Sequence, residues 1–172
     1  YGTVIQPNAQ PGDIRFKDLN HDGKLDDNDK TFIGNAFPDL MVGINARLAW
    51  KNIDFAANFY GTIGNDVYNT TKGRYSGVSG ENVYAGTYNA SWHGEGTSYD
   101  LPRLSYNDAN QNWTRVSSFY VEDGSYLRCK QLQIGYTLPK KWTKKISLRL
   151  SFSAQNPFTI TGYSGMDPEA AA

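Results

Sequence analysis

The sequence predicts an all-β protein whose antiparallel strands form part of a transmembrane β-barrel. Three observations lead to this fold class. Four segments alternate apolar and polar residues, two short turns join these segments in pairs, and long segments rich in Gly, Ser, Asn and Tyr surround the pairs. Alternation with a period of two places apolar residues on one face of a strand and polar residues on the other. Short turns on one side and long loops on the other are typical of barrels that span membranes. The alternative fold for the same alternation is a soluble β-sandwich with one wet face per sheet.

The first pair of strands is predicted as a hairpin over residues 40–61. Apolar residues recur at alternate positions from Leu40 to Trp50, and the alternation resumes at Ile53. The dipeptide Lys51-Asn52 between them is short enough for a tight antiparallel turn. A strand of about ten residues is also long enough for a tilted crossing of a bilayer.

A second hairpin is predicted over residues 126–155, with its turn at 139–145. Here Arg128 and Lys130 share the parity of the apolar residues. A charge at the centre of a bilayer costs about 2–4 kcal/mol, so both side chains are expected above the hydrocarbon layer. After the second hairpin, Asn156-Pro157 is expected to open an extracellular loop over residues 156–172.

The shared parity of the four strands assigns each residue to a face. The following residues are expected to point to the barrel interior: Asn45, Arg47, Asp54, Asn58, Arg149 and Gln155. The following residues are expected to point to lipid: Leu48, Phe55, Ile134 and Leu150.

Residues 62–125 show no sustained periodicity and are predicted to form a long extracellular loop. Loops beyond about fifteen residues are uncommon in compact soluble domains, whereas barrels carry long loops on their outer side. A helix is expected within this loop, around Val83 to His93. Its aromatic residues could stack on sugar rings, contact a partner or pack against one another. They are Tyr75, Tyr84, Tyr88, Trp92, Tyr99, Tyr106 and Trp113.

A calcium-type loop is predicted within the extracellular segment 13–34. Oxygen-bearing side chains alternate from Asp18, and Gly23 stands at the sixth position, where such loops turn sharply. The expected ligands are Asp18, Asn20, Asp22, the backbone carbonyl of Lys24, Asp26 and Asp29. Asp29 replaces the usual glutamate, so weaker binding or one additional water ligand is expected. The alternative is a plain polar turn, because Asp, Asn and Gly also dominate turns.

Composition excludes several classes of protein. The 172 residues carry equal numbers of acidic and basic side chains, which gives no reason to expect a nucleic-acid partner. A single cysteine, Cys129, excludes an internal disulfide. The sequence has no apolar run long enough for a transmembrane helix. No signal peptide is visible, and the chain is expected to be a fragment at both ends.

Catalytic chemistry is not predicted. The two histidines, His21 and His93, lie in unrelated segments. His93-Gly94-Glu95 is similar to part of a zinc deaminase signature, but the cysteine pair that this signature requires is missing. The Ser and Gly residues at 76–80 lack the spacing of a nucleophile elbow. An enzyme is therefore not expected.

Several motifs resemble the SusC/RagA family of TonB-dependent outer-membrane transporters. The resemblance covers nearly the whole chain, and the motifs occur in the same order as in the family. The motifs are Pro11 to Asp18, Ile33-Gly34-Asn35 with Pro38, Gly61 to Asn69, Asp123 to Arg128, Gly135 to Pro139, Gln155 to Thr159 and Tyr163 to Glu169. Cys129 and Pro157 depart from the family pattern, which usually has an aliphatic residue and a leucine there.

The resemblance implies the C-terminal segment of a 22-stranded barrel in the outer membrane of a Bacteroidetes-type bacterium. It implies TonB-dependent import of oligosaccharides, or sometimes peptides. The implied partners are a SusD-like surface lipoprotein, outer-membrane lipid and the TonB complex, which would act on an N-terminal plug missing from these residues. The alternative function is a soluble calcium-dependent β-sandwich module for carbohydrate binding or adhesion.

Overall fold

The computed structural model describes residues 4–74, 82–83, 85–144 and 146–169. Strands dominate the regular structure of these residues, which confirms the all-β fold class. The strands are β1 (Leu40–Trp50), β2 (Ile53–Ile63), β3 (Asp66–Tyr68), β4 (Val121–Asp123), β5 (Tyr126–Thr137) and β6 (Arg149–Thr161). The short helices are α1 (Thr71–Arg74), α2 (Ala85–Ala90) and α3 (Lys140–Thr143), and 3-10 turns occur at Asp27–Asp29 and Ser118–Tyr120. None of the described helices has the length and apolar character needed to cross a membrane.

The chain divides into two compact units. The loop unit consists of Tyr1–Ile33 and Asn69–Val121, and the sheet unit consists of Gly34–Tyr68 and Glu122–Ala172. The predicted loop at 62–125 is therefore divided between the two units rather than forming one irregular segment. Helix α2 falls within the range where a helix was expected.

The sheet unit is built on one antiparallel sheet with the strand order β1-β2-β5-β6. Both predicted hairpins are present, and β2 pairs with β5 to join them. The register aligns four amide side chains in one row across the sheet: Asn45, Asn58, Gln131 and Gln155. Strands β1 and β6 are the two edges of this open sheet within the described residues. The 22-stranded closed barrel thus remains a prediction.

Strand β6 differs from its predicted bounds. It begins at Arg149 and continues to Thr161, so the prediction that a loop begins at Asn156-Pro157 is wrong. Opposite these two residues, the pairing of β5 with β6 shifts register between Cys129 and Gln131, and Asn156 has a φ of 47°. Proline cannot donate a ladder hydrogen bond, and it is tolerated at bulges and in edge strands such as this one.

Strand β5 contains a bulge at Lys130 that reverses its parity. The register with β2 passes from Gln131 opposite Asn58 to Cys129 opposite Phe59, which leaves Lys130 unpaired. An extra residue in one strand shifts every following side chain to the other face. Arg128 therefore lies on the polar face, and its assignment to the apolar face from simple alternation is wrong. Because Arg128 does not face lipid, its charge does not require it to lie above the hydrocarbon layer.

One face of the sheet is apolar and exposed. Leu48 is 68% exposed, Ile134 50%, Leu150 59% and Phe152 67%. Leu48, Phe55, Ile134 and Phe152 are aligned in one row across the four strands. Soluble monomers rarely expose so continuous an apolar surface. This face has the properties of a surface that contacts lipid.

Candidate functional site

The polar face of the sheet carries an ion pair between its second and fourth strands. The carboxylate of Asp54 accepts hydrogen bonds from both Nε and Nη2 of Arg149, with the Nε bond at 3.0 Å. Gly135 of β5 lies between them, and a Cβ on Gly135 would be 2.5 Å from Arg149 Nη2 and from Asp54 Oδ1. The absence of a side chain at Gly135 therefore leaves room for the ion pair. Asp54 and Arg149 lie on the same face, as the parity predicts.

A second charged cluster holds the segment after β6 against the same polar face. Arg128 pairs with both Asp167 and Glu169, and Lys130 Nζ lies 2.7 Å from Glu169 Oε1. The side chain of Arg128 is only 8% exposed, and its Nε donates to the hydroxyl of Thr159 at 2.9 Å. The end of the described chain thus folds back over the sheet instead of extending away as a free loop.

Arg47 remains without a partner on this face. Among the described residues it has neither a hydrogen bond nor an ion pair, and its side chain is exposed. It borders a shallow cavity of about 520 Å³ that Asn58, Gln131 and Gln133 also line. Amides and one guanidinium form a surface that offers hydrogen-bond donors and acceptors to a solute.

In the loop unit, a polar network fixes the segment around Asp13. Its carboxylate accepts hydrogen bonds from Arg103 Nε at 2.6 Å, Asn112 Nδ2 at 2.7 Å and the Gln10 N–H at 2.8 Å. The Asp13 side chain is only 1% exposed. The Ile14 N–H also donates to Asn112 Oδ1 at 2.9 Å. Sequence reasoning missed Arg103 and Asn112, because they lie 90 and 99 residues from Asp13 and no local pattern marks them.

An open cavity of about 350 Å³ lies beside this network, and we call it the aromatic cavity. Its lining includes Gly12, Asp13, Trp92, Tyr99, Asp100 and Phe119. Gly12 has a φ of 88°, and a Cβ there would lie 2.2 Å from Trp92 Cε3, so the indole packs directly on the Gly12 backbone. The Arg103 N–H donates to Gly12 O at 2.9 Å, and the Trp92 N–H donates to Leu101 O at 3.1 Å. These bonds fix the cavity wall.

The predicted calcium loop coils on itself through its own side chains. Asp18 accepts hydrogen bonds from the N–H groups of His21 and Gly23, at 2.7 and 2.9 Å. Asn20 Oδ1 accepts from the Asp22 N–H, and Asp22 Oδ1 accepts from the Lys24 N–H. These bonds hold the alternating side chains in turns.

The last turn of this loop is closed by Asp29. Its carboxylate accepts from the N–H groups of Leu19 and Asp26, and Asp26 in turn accepts from the Asn28 N–H. The N–H of Asp26, followed by that of Leu19, lowers the pKa of Asp29 from its usual value. Among the described residues, no three His, Cys, Asp or Glu side chains are grouped closely enough to hold a metal ion. The calcium site therefore stays a prediction.

Comparison with known proteins identifies the family. No family model matches the chain. A TonB-dependent receptor, P3 of Formosa agariphila, is 37% identical over 171 residues, or 98% of this chain and 16% of the relative. TonB-dependent receptor SusC of Bacteroides thetaiotaomicron is 25% identical over 173 residues, again 98% of this chain and 16% of the relative. The chain belongs to the SusC/RagA family of TonB-dependent receptors.

Solved structures agree with this assignment. The RagAB peptide importer in its open-open state matches with a TM-score of 0.61 and 25% identity. The match covers 78% of this chain and 15% of that one. The chain thus spans about one sixth of the length of its SusC-like relatives. Members of this family are outer-membrane β-barrel proteins, so the chain is located in the outer membrane.

Proposed function

We propose that this chain forms part of the wall of an outer-membrane barrel that imports a large nutrient by TonB-dependent transport. The two-faced sheet is the observation that carries the proposal. Its apolar face suits contact with lipid, and its polar face suits a water-filled interior. A sheet closed into a barrel of 22 strands would also pair the open edges of β1 and β6.

The proposed substrate and partners are carried over from the relatives and not from the geometry of these residues. The matched RagAB structure is a peptide importer, and the family resemblance implies oligosaccharides, so we propose an oligosaccharide or a peptide as the substrate. We propose that a SusD-like surface lipoprotein covers the outer side of the barrel. We further propose that the TonB complex supplies energy through an N-terminal plug that lies outside these residues.

A soluble β-sandwich that binds carbohydrate is the second candidate, and the apolar face argues against it. A sandwich packs the inner faces of two sheets against each other, about 10 Å apart. Within the described residues, the other sheet contains only β3 and β4, with three residues each. Such short strands have too little surface to cover the apolar residues of four long strands.

We also propose that the 18–29 loop binds calcium as a structural ion. The contact of Asp18 with the Gly23 N–H supports this, because it turns the chain sharply where loops of this class coil around an ion. Asn20, Asp22 and Asp29, the carbonyl of Lys24, and Asp26 directly or through water would complete the ligand set. The role would be structural, since these oxygens would hold the ion and none would act as a base.

Energy-dependent uptake tests the transport proposal. The full-length protein is expressed in a deletion strain, and import of fluorescently labelled oligosaccharides and peptides is measured with and without a functional TonB. Uptake that needs both the protein and TonB is expected. Equal uptake in the presence and absence of TonB would rule out this function.

A further inference from the structure

We propose that the aromatic cavity binds the cationic side chain of a lysine or arginine in a peptide ligand. This inference rests on the proposed transport function and narrows its substrate class. All residues that line the cavity belong to the loop unit, and all of them are among the residues that the structure describes.

The charges around the cavity favour a cation. Two acidic residues, Asp13 and Asp100, belong to its lining, and none of the lining residues is a lysine or arginine. Arg103 neutralises Asp13 through a contact of 2.6 Å. Within the described part of the chain, the carboxylate of Asp100 has no hydrogen-bond or ion-pair partner. Asp100 is therefore the acidic lining residue whose carboxylate has no bonded cation among the described residues.

Aromatic rings add to this preference. The face of an aromatic ring carries negative potential and attracts an ammonium or guanidinium group within about 6 Å of its centroid. Lys72 already occupies such a position, 5.1 Å from the ring centroid of Phe119, and donates to the Phe119 carbonyl. Trp92 and Tyr99 remain as the rings for a ligand, and Tyr99 is 77% exposed.

The shape and lining of the cavity fit a long basic side chain. Ile14 and Leu101 line the cavity together with the aromatic rings. Lysine and arginine have an apolar stem that packs on such groups while the charged head meets a carboxylate. An amino sugar carries its ammonium directly on a hydroxylated ring and has no apolar stem to place there. The lining therefore favours a peptide over an amino sugar.

The cavity wall is held in place without a ligand. Contacts of Asp13 with Arg103 and Asn112, together with the close packing of Trp92 on Gly12, set its shape. A preformed site loses less conformational entropy on binding than a flexible one. Its volume of about 350 Å³ lies within the range of ligand pockets.

Calorimetry on the purified full-length transporter in detergent tests this inference with three probes. They are the peptides Ala-Ala-Lys-Ala-Ala and Ala-Ala-Nle-Ala-Ala, where Nle is norleucine, and a glucosamine trisaccharide. We expect the lysine peptide to bind about tenfold more tightly than the norleucine peptide, and more tightly than the trisaccharide. Asp100→Asn should remove the preference for lysine, whereas Glu95→Gln, an exposed acid outside the lining, should retain it.

Three results would overturn the inference. They are equal binding of the two peptides, an unchanged preference in Asp100→Asn, or tighter binding of the trisaccharide. TonB-dependent uptake is measured separately on the same protein. Uptake that persists without any preference for lysine would remove the proposed ligand and leave the transport function in place. Loss of uptake in every arm would instead count against the transport function.

Discussion

Arg149 of β6 reaches across Gly135 of β5 to pair with Asp54 of β2. The pair ties two strands that do not share a hydrogen-bonded ladder. Both side chains are about 40% exposed, at 42% and 39%, so the attraction itself contributes little to stability. The pair instead shows a steric requirement at Gly135, because the Arg149 side chain can pass over β5 only where that strand has no side chain.

Gly135→Ala should destabilise the protein by at most about 1 kcal/mol, because the new methyl group would force apart the ends of two half-exposed charged side chains. Thermal unfolding of the full-length protein in detergent measures the change. Gly43→Ala is the matched control, since a Cβ at Gly43 of β1 meets nothing within 4 Å. Equal melting temperatures for the two variants would contradict this steric account.

If the sheet is part of a barrel wall, spin labels at two neighbouring residues of β1 should be in contact with lipid and with water, respectively. A spin label at Leu48 should relax faster with a lipid-soluble agent, and a label at Arg47 should relax faster with a water-soluble one. The two positions lie at nearly the same depth, so depth alone would give no difference. Similar accessibility at both positions would count against the barrel wall.

The bulge at Lys130 can be tested with a spin label at another position of the sheet. With the bulge, Leu127 faces the apolar side and Arg128 the polar side, because Leu127 aligns with Gly61 and Ile160. Uninterrupted alternation from Leu132 would reverse these two assignments. A label at Leu127 should therefore respond to the lipid-soluble agent, and the opposite response would show that β5 alternates without interruption.

Arg128→Gln should release the segment that carries Asp167 and Glu169. A nearly buried guanidinium with two carboxylate partners is lost, and breaking buried ion pairs costs about 3–5 kcal/mol. The partial exposure of both carboxylates, 40% and 39%, should bring the cost below that range. Hydrogen exchange over residues 162–169 should rise, and Arg47→Gln, which removes an unpaired arginine, serves as the control. Unchanged exchange in Arg128→Gln would show that other contacts hold the segment.

Asp22→Ala should abolish calcium binding by the 18–29 loop and raise hydrogen exchange over residues 13–34, while the strands keep their protection. The reason is the loss of one predicted carboxylate ligand. A calcium titration of the full-length protein measures binding, with Asp27→Asn as the control because Asp27 pairs with Lys30 outside the predicted ligand set. No calcium uptake by the parent protein at millimolar concentration would refute the site.

The same loop should open in acid. The hydrogen bonds that Asp29 accepts from backbone N–H groups lower its pKa in the folded state below the usual 3.8. These bonds therefore stabilise the loop fully when the pH is above 3.8. This contribution is lost as the pH falls through the lowered folded-state pKa. Cleavage by pepsin within residues 18–29, normalised at each pH to cleavage of an unfolded peptide, should therefore increase as the pH falls below 3.8. In Asp29→Asn this dependence should disappear, and a parent-like pH profile in that variant would assign the opening to another group.

The sequence by itself determined the strand segments, the residues on most of each face and the family. These properties are local: alternation depends on neighbouring residues, and family motifs are short. The coiled hydrogen bonds of residues 18–29 also arise from neighbours in sequence.

The tertiary structure alone decided the features that depend on pairing between distant segments. The bulge at Lys130, the continuation of β6 through Pro157 and the path of Arg149 over Gly135 depend on which strand lies alongside. Asp13 likewise finds Arg103 only when the chain has folded. Alternation specifies faces within one strand, but a register shift or a long-range ion pair arises from contacts that no single segment contains.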